Sequence, residues 1–349
     1  MSLAPFRRRN SRSIICVMKE HNYDPSPLWN EFVKDFSSDA DGTHRGYGIS
    51  LLGHRRTIFS MRVFSLIRVL VSALGKLGIS ERSRSRVLSK SKIVTSRLLL
   101  DDARAADRYS LFEYDFSSYP KGLVRRYKRA VGAQLGISHH SLKCFFYLER
   151  LNQVLGSKVP SSILEIGAGA FNFGQLWLTE VSGKQTYVVV DLPDVARAAV
   201  HELRNKGLDK QGNYKIFDRT QLLDFLSSRE PRKVLFATPA QLPEIRSLSF
   251  DLFVNHESFA EMRTNTVNSY LDFVEKSMKS EGIVFLVNRE FRSQSATLDS
   301  GEDPSETTKF DNYNLGWLRV ILREVDPFRA SLGPHGDTPN VFFIGQKLS

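Results

Sequence analysis

The stretch that most constrains the fold is residues 161–191, SSILEIGAGAFNFGQLWLTEVSGKQTYVVVD. Its first apolar run ends at Glu165 and is followed by Gly167-Ala168-Gly169 and an apolar, helix-like segment. A second apolar run, from Tyr187 to Val190, ends at Asp191. This pattern predicts a strand, a glycine-rich turn, a helix and a second strand that ends in a carboxylate. Such units bind nucleotide-type ligands, because glycine lets the ligand approach the backbone and the acidic residue can bind ribose hydroxyls.

The rest of the C-terminal half alternates between strand-like and helix-like segments with short links. This alternation predicts an α/β fold with a doubly wound, mostly parallel sheet. The segment Leu315–Glu324 fits either a helix or a strand. The remaining predicted strands are Tyr214–Phe217, Lys233–Ala237, Asp251–Asn255, Gly282–Asn288 and Asn340–Gln346.

A helical region is predicted before the sheet, with helices at Leu123–Leu135 and Ser141–Leu155. We therefore expect three parts. Residues 1–50 form a basic, partly disordered segment, and residues 51–157 form a helical subdomain that covers an acceptor site or mediates dimerisation. Residues 158–349 form the ligand-binding α/β domain.

Positive charge is concentrated at the N-terminal end. Residues 1–100 hold 18 Lys and Arg against seven Asp and Glu, so they account for the whole net charge of +11. A basic segment attracts nucleic acid, anionic lipid or a phosphorylated substrate, or else it is a solvated tail. The apolar helix predicted at Arg55–Leu77 is interrupted by Arg62, Arg68 and Lys76, which argues against a membrane span. It is either buried in the helical subdomain or lies on a membrane surface.

The two cysteines, Cys16 and Cys144, are far apart and match no metal-binding spacing. They indicate a reduced compartment without a disulfide framework, and we expect the cytoplasm. The first 19 residues lack acidic side chains, as a transit peptide does, so an organelle address stays open as the alternative.

Two cofactors compete for the glycine turn. A dinucleotide fingerprint needs a third glycine after two further residues, but that position holds Asn172. Glu165, two residues before Gly167, is also a poor neighbour for an anionic pyrophosphate. It suits a cationic ligand, such as the amino group or sulfonium of S-adenosylmethionine (SAM).

The E-x-G-x-G pattern resembles motif I of class I SAM-dependent methyltransferases, and Asp191 matches their acidic residue after the second strand. Three elements also resemble motifs of the sugar O-methyltransferase family: Leu164–Gly169, Val190–Pro193 and DLFVNHESFAEM at Asp251–Met262. The resemblance covers about residues 138–290. One departure is Ala170-Phe171-Asn172-Phe173, where the family pattern has a glycine soon after Gly169.

The resemblance implies a cofactor site at the ends of the first two strands. Gly167, Ala168 and Gly169 would contact SAM through the backbone, and Glu165 would hold its amino group. Asp191 would bind the ribose hydroxyls and Leu192 would lie against the adenine. Asn255, at the end of a later strand, would face the point where the methyl group and the acceptor meet.

The expected reaction is O-methylation of a sugar or glycan hydroxyl. Because an alcohol is a poor nucleophile, deprotonation helps the transfer, and His256 and Glu261 are the candidate bases. The sequence has no paired aspartates in the places expected for a metal site, so we expect a metal-independent enzyme. Expected partners are the sugar or glycan acceptor, a membrane surface contacted through the basic N-terminal region, and a second copy of the chain.

Other classes stay open, and one of them is a SAM-dependent methyltransferase that acts on another small molecule. A nucleic-acid methyltransferase fits the basic N-terminus, but such enzymes usually carry an Asn/Asp-Pro-Pro-aromatic element, and the sequence here is NHES. Salt-dependent affinity for RNA or DNA would support that class. A non-catalytic protein with the same fold would not bind SAM, and a dinucleotide enzyme would bind NADH.

Overall fold

The computed structural model describes residues 37–38, 44–45, 122–131, 139–169, 171–205, 214–291, 308–326 and 340–349. Two dipeptide strands, β1 (Ser37–Ser38) and β2 (His44–Arg45), pair antiparallel with each other. The basic N-terminal segment and the helix predicted at Arg55–Leu77 otherwise lie outside the described residues. The membrane contact and the dimer that they were expected to mediate stay predictions.

One sheet of eight strands forms the centre of the described fold, in the order β5-β6-β4-β3-β7-β8-β10-β9. All neighbouring strands from β5 to β8 run parallel, whereas β10 runs antiparallel to both β8 and β9. This is the predicted α/β fold with a mostly parallel sheet. The strands are β3 (Ser162–Ile166), β4 (Gln185–Val190), β5 (Lys215–Phe217), β6 (Arg232–Ala237), β7 (Phe250–His256), β8 (Met278–Arg289), β9 (Leu318–Val325) and β10 (Asn340–Lys347).

Helices cover both faces of the sheet. The α-helices of the described residues are α1 (Leu123–Val131), α2 (His139–Leu155), α3 (Asn172–Glu180), α4 (Pro193–Asn205), α5 (Leu222–Ser227), α6 (Leu242–Ile245) and α7 (Thr264–Ser277). Helices α1 to α4 share one hydrophobic core with alternate strand residues such as Ile163, Tyr187 and Val254. Helices α5 to α7 pack on the opposite face, against residues such as Leu164 and Val188. The period of two along each strand thus produces a three-layer α/β/α sandwich.

Helix α2 belongs to the core of the sheet domain. Leu142, Phe145 and Leu148 are buried in the same cluster as Ile163 of β3. The helix therefore packs beside the strand that carries the glycine turn, as its apolar face predicts. Most of the helical subdomain predicted at residues 51–157 lies outside the described residues, so its boundary with the sheet domain stays a prediction.

Asp251, near the start of β7, holds the start of β3 in place. Its Oδ2 atom accepts hydrogen bonds from the backbone N–H and the hydroxyl of both Ser161 and Ser162, at 2.9–3.0 Å. Its Oδ1 atom accepts one from Lys279 Nζ at 2.8 Å. Burial alone would raise the pKa of Asp251, but these hydrogen bonds outweigh burial and lower it. This clamp sets the register of β3 beside β7.

No helix in the described part of the chain combines the length and apolar character needed to cross a membrane.

Candidate functional site

The strand order reverses between β3 and β7, so chain connections leave these two strands toward opposite sides of the sheet. In open α/β sheets, ligands bind at the carboxyl ends of the strands at such a switch point. The glycine turn follows β3, and the segment from Asn255 to Ser258 ends and follows β7. The two motifs singled out from the sequence therefore meet at one edge.

The two glycines of the turn have different neighbours. Both have left-handed backbones, with φ of 71° at Gly167 and 54° at Gly169. A Cβ on Gly167 would lie 2.0 Å from Ser258 Oγ, whereas one on Gly169 would meet no described atom within 4 Å. Gly167 is therefore required by packing against the end of β7. Gly169 leaves an open side from which a ligand can approach the backbone.

Asp191 is joined directly to this turn. The residue is 7% exposed, and its carboxylate accepts hydrogen bonds from the N–H of Gly169 (2.8 Å) and of Leu192 (2.7 Å). Burial raises the pKa of Asp191 to about 7, although both hydrogen bonds favour the ionised form. Each carboxylate oxygen accepts one backbone N–H and has further lone-pair capacity for a ligand hydroxyl.

Glu165 is a second buried carboxyl near the same turn. It is 2% exposed, and Tyr187 donates a hydrogen bond to its Oε2 at 2.7 Å. Burial raises its pKa to about 8, the Tyr187 hydrogen bond opposes this rise, and the charge of Asp191 adds to it. A cationic ligand group beside Glu165 would favour its ionised form.

The phenylalanines that follow Gly169, where the motif resemblance predicts a glycine, are explained by packing. Phe171 has a left-handed φ of 58° and is fully buried, with its ring against Tyr187 and Phe236 at centroid distances of 5.2 and 5.1 Å. A Cβ on Gly174 would lie 1.9 Å from this ring. Gly174 thus provides the space that the Phe171 ring occupies within the first turn of α3. Phe173 instead packs on His256, with centroids 4.6 Å apart.

Asn255 lies at the end of β7, and its side chain is held inside the protein. Its amide nitrogen donates to the carbonyl of Ile166 (2.7 Å) and to Ser258 Oγ (2.6 Å). Its oxygen accepts from Asn288 Nδ2 at 2.9 Å. This fully buried amide ties together the ends of β3, β7 and β8. The predicted cofactor contact of Asn255 stays a prediction, and the geometry favours a role in positioning the turn.

His256 lies in an aromatic enclosure. Its ring is 5.4 Å from that of Tyr147 and 5.0 Å from that of Phe285, in addition to Phe173. Burial lowers its pKa to about 3, so the imidazole is neutral near pH 7. Its Nε2 atom is buried and has no hydrogen-bond partner among the described residues.

The other predicted residues lie near the same edge. Ala168 and Leu192 are half-buried, and Ala168 packs against the core that contains α2 and α3. Glu261 ends a short 3-10 turn, Phe259–Glu261, and is half-buried. The roles of Glu261 and His256 as bases stay separate predictions.

A polar cluster beside His256 was missed by the sequence analysis. Lys143 of α2 forms an ion pair with Glu257, and Tyr147 of α2 donates a hydrogen bond to Asp326. Asn340 Nδ2 donates to Glu257 Oε1 (2.9 Å) and, more weakly, to Asp326 Oδ2 (3.4 Å). One signal was available, because Lys143 and Tyr147 are four residues apart on the apolar face of α2.

Metal ligands are not grouped in the described part of the chain: no three His, Cys, Asp or Glu side chains there could together hold an ion.

No protein-family model matches this chain, and no curated protein matches it. Among solved structures, the chain is similar to N-methyltransferase NodS from Bradyrhizobium japonicum WM9, with 15% identity over 58% of this chain and 95% of that one, and a TM-score of 0.39. It is also similar to the O-methyltransferase from Bacillus cereus in complex with SAH, with 15% identity over 70% of this chain and 97% of that one, and a TM-score of 0.37. The sugar O-methyltransferase assignment stays a prediction from the motifs.

Proposed function

We propose that the chain is a SAM-dependent O-methyltransferase that methylates a hydroxyl of a sugar or glycan. The observation that carries this proposal is the glycine turn itself. Gly169 leaves an open side, and its N–H fixes the carboxylate of Asp191, which a ribose diol could bind. The neighbouring buried carboxyl of Glu165 would gain from a cationic partner.

When bound, SAM would supply a methyl group on a positively charged sulfur. Transfer to a hydroxyl forms a C–O bond, breaks the S–C bond with its electron pair left on sulfur, and releases the hydroxyl proton. The protein must orient the hydroxyl and accept this proton. His256 and Glu261 are retained as candidate bases. The imidazole of His256 is neutral and its Nε2 atom has no hydrogen-bond partner among the described residues, but its lowered pKa makes it a weak base.

The first test measures binding of SAM, S-adenosylhomocysteine (SAH) and NADH by isothermal titration calorimetry. We expect both SAM and SAH to bind and NADH not to bind. The variant Asp191→Asn should weaken SAH binding by about tenfold to a hundredfold, because hydrogen bonds to a charged group contribute about 1.5–3 kcal/mol. Asp194→Asn is the matched control, since Asp194, in the first turn of α4, has a half-buried side chain that pairs with Arg197. Its affinity should stay within about twofold of the wild type, since surface ion pairs contribute little.

The alternatives give different results. Binding of NADH without SAM or SAH would indicate a dinucleotide enzyme. Binding of none of the three would refute the cofactor assignment. Transfer of labelled methyl groups from SAM to RNA or DNA, and not to sugars, would indicate a nucleic-acid methyltransferase.

A further inference from the structure

We propose that Lys143, Tyr147, Glu257, Asp326 and Asn340, here called the acceptor cluster, form with His256 the binding site for the methyl acceptor, and that this site takes a neutral, hydroxyl-rich group. The proposal rests on the proposed function, because it assigns the second substrate of the same reaction.

The acceptor cluster is assembled by the fold at the ligand edge of the sheet. Its members come from α2, from the residue after β7, from the residue after β9 and from the first residue of β10. Because β10 runs antiparallel, its first residue lies at the same edge as the ends of β7 and β8. Phe173, in the first turn of the helix after the glycine turn, contacts His256. The cluster is therefore next to the proposed cofactor site.

Burying this cluster has a cost that packing does not require. Lys143 is 5% exposed, Asp326 is 0% exposed and Asn340 is 3% exposed. Removing charged groups from water costs several kcal/mol for each ion, and well-packed apolar residues often replace a buried ion pair without loss of stability. Most of the other buried residues of α2 are apolar, among them Leu142, Phe145 and Leu148. Such a cluster beside a ligand site is more readily explained by binding than by stability.

The backbone at Glu257 supports a functional role. Its φ of 63° is left-handed, which is unfavourable for a residue with a Cβ. Its N–H donates to the carbonyl of Val287 at 2.6 Å, and its side chain reaches Lys143 and Asn340. Strained residues of this kind concentrate at ligand sites.

Two buried atoms indicate what the ligand must offer. Asn340 directs its amide nitrogen to two carboxylates, which leaves Oδ1 buried and without a partner among the described residues. The Nε2 atom of His256 is also buried and has no partner among the described residues. The amide oxygen only accepts hydrogen bonds, whereas a neutral imidazole donates at one nitrogen and accepts at the other. A ligand that satisfies Asn340 Oδ1 must donate a hydrogen, as hydroxyl groups do and as ionised phosphates or carboxylates do not. A hydroxyl can also pair with Nε2 of His256, whether that atom donates or accepts.

The test uses full-length protein with ¹⁵N-labelled histidine, saturated with SAH, and follows the His256 signal by NMR. The signal is assigned by its loss in His256→Gln. The probes are the methyl α-D-pyranosides of glucose, galactose and mannose, with glucose 6-phosphate and glucosamine as charged comparisons. We expect at least one neutral glycoside to shift the His256 signal at millimolar concentration. The charged probes should bind at least about fivefold more weakly.

Asn340→Leu should raise the glycoside concentration needed for half of this shift by about tenfold, and SAH affinity should stay within about twofold. Gln346→Leu, on the same strand at the opposite edge of the sheet, is the control and should behave as the wild type. If Asn340→Leu does not fold, Tyr147→Phe keeps the ring and removes the hydroxyl that binds Asp326. It should weaken glycoside binding and change the pH dependence of the His256 signal.

The outcomes separate the two proposals. Normal SAH binding with no glycoside effect on His256, stronger binding of a charged probe, or unchanged glycoside binding in Asn340→Leu and Tyr147→Phe would each overturn the acceptor cluster. If the wild type does not bind SAH but a glycoside still shifts the His256 signal, the proposed methyltransferase function is refuted and the hydroxyl-binding site remains supported.

Discussion

The two glycines of one turn should respond differently to the same substitution. Gly167→Ala would place a methyl group 2.0 Å from Ser258 Oγ and 2.4 Å from Ser258 Cβ, at a φ of 71°. Gly169→Ala would place it in open space, at a φ of 54°. The first change disturbs the junction between β3 and β7, whereas the second adds a methyl group only on the side from which the proposed cofactor would approach.

The expected magnitudes follow from these contacts. A left-handed backbone costs a residue with a Cβ about 1–2 kcal/mol, and this cost applies to both variants. Overpacking against Ser258 adds about 1–3 kcal/mol for Gly167→Ala, because Ser258 is itself buried and accepts a hydrogen bond from Asn255. We expect Gly167→Ala to lose about 2–5 kcal/mol of unfolding free energy, and Gly169→Ala about 1–2 kcal/mol.

Gly156→Ala is the matched control, since Gly156 follows α2 with a φ of 59° and a Cβ there would meet no atom of the described residues within 4 Å. Urea unfolding measures stability, and calorimetry measures SAH affinity. Gly169→Ala and Gly156→Ala should be equally stable within about 0.5 kcal/mol, but only Gly169→Ala should weaken SAH binding, by about tenfold or more. Equal SAH affinity in these two variants would refute the view that a ligand approaches Gly169. Equal stability of Gly167→Ala and Gly169→Ala would refute the packing role of Gly167.

Three further predictions concern other parts of the site and fold. SAM affinity should rise by about tenfold or more between pH 6 and pH 8, because the pKa of Glu165 is about 8 and only its ionised form can pair with an ammonium group. A pH-independent affinity in the wild type, or the same rise in Glu165→Gln, would contradict this role of Glu165. Asp251→Ala should lower the unfolding free energy, measured by urea unfolding, by about 2–3 kcal/mol at pH 7. The difference from the wild type should shrink as the pH falls through the lowered pKa of the Asp251 carboxyl. Asp311→Ala is the control and should lose less than about 1 kcal/mol in the same assay, because the Asp311 side chain is 66% exposed. Gly174→Ala should lose about 1–3 kcal/mol because its methyl group would overlap the ring of Phe171, and Phe171→Leu should partly restore it; additive effects in the double mutant would show that the two residues do not compete for space.

The sheet could be predicted because its strands are buried on both faces and therefore read as apolar runs. The segments from Tyr187, Lys233, Asp251 and Gly282 each contain or overlap a strand. The order of the last strands could not be predicted in this way. Whether Leu315–Glu324 is a strand depends on pairing with β10, which also binds β8, and alternation along the chain carries no information about that insertion.

The cofactor side of the site was accessible to sequence reasoning because its parts are close in the chain. Gly169 and Asp191, for example, are 22 residues apart and are joined by one hydrogen bond. The acceptor cluster is different, since its contacts join Lys143 to Glu257 and Tyr147 to Asp326, 114 and 179 residues apart. The packing of Phe171 was hidden for another reason: it depends on a left-handed backbone at a phenylalanine, which residue preferences disfavour.

The two buried carboxyls give an electrostatic argument about the cofactor that is independent of any motif. Glu165 and Asp191 are both almost fully buried, and the charge of Asp191 raises the pKa of Glu165. An anionic pyrophosphate at the same turn would raise both pKa values further, and its binding would have to be accompanied by proton uptake. A ligand with a positive charge would lower both pKa values and would release protons on binding. Proton release measured by calorimetry in buffers of different ionisation enthalpy therefore distinguishes SAM from a dinucleotide by sign, and proton uptake with SAM would contradict the placement of its cationic groups beside Glu165.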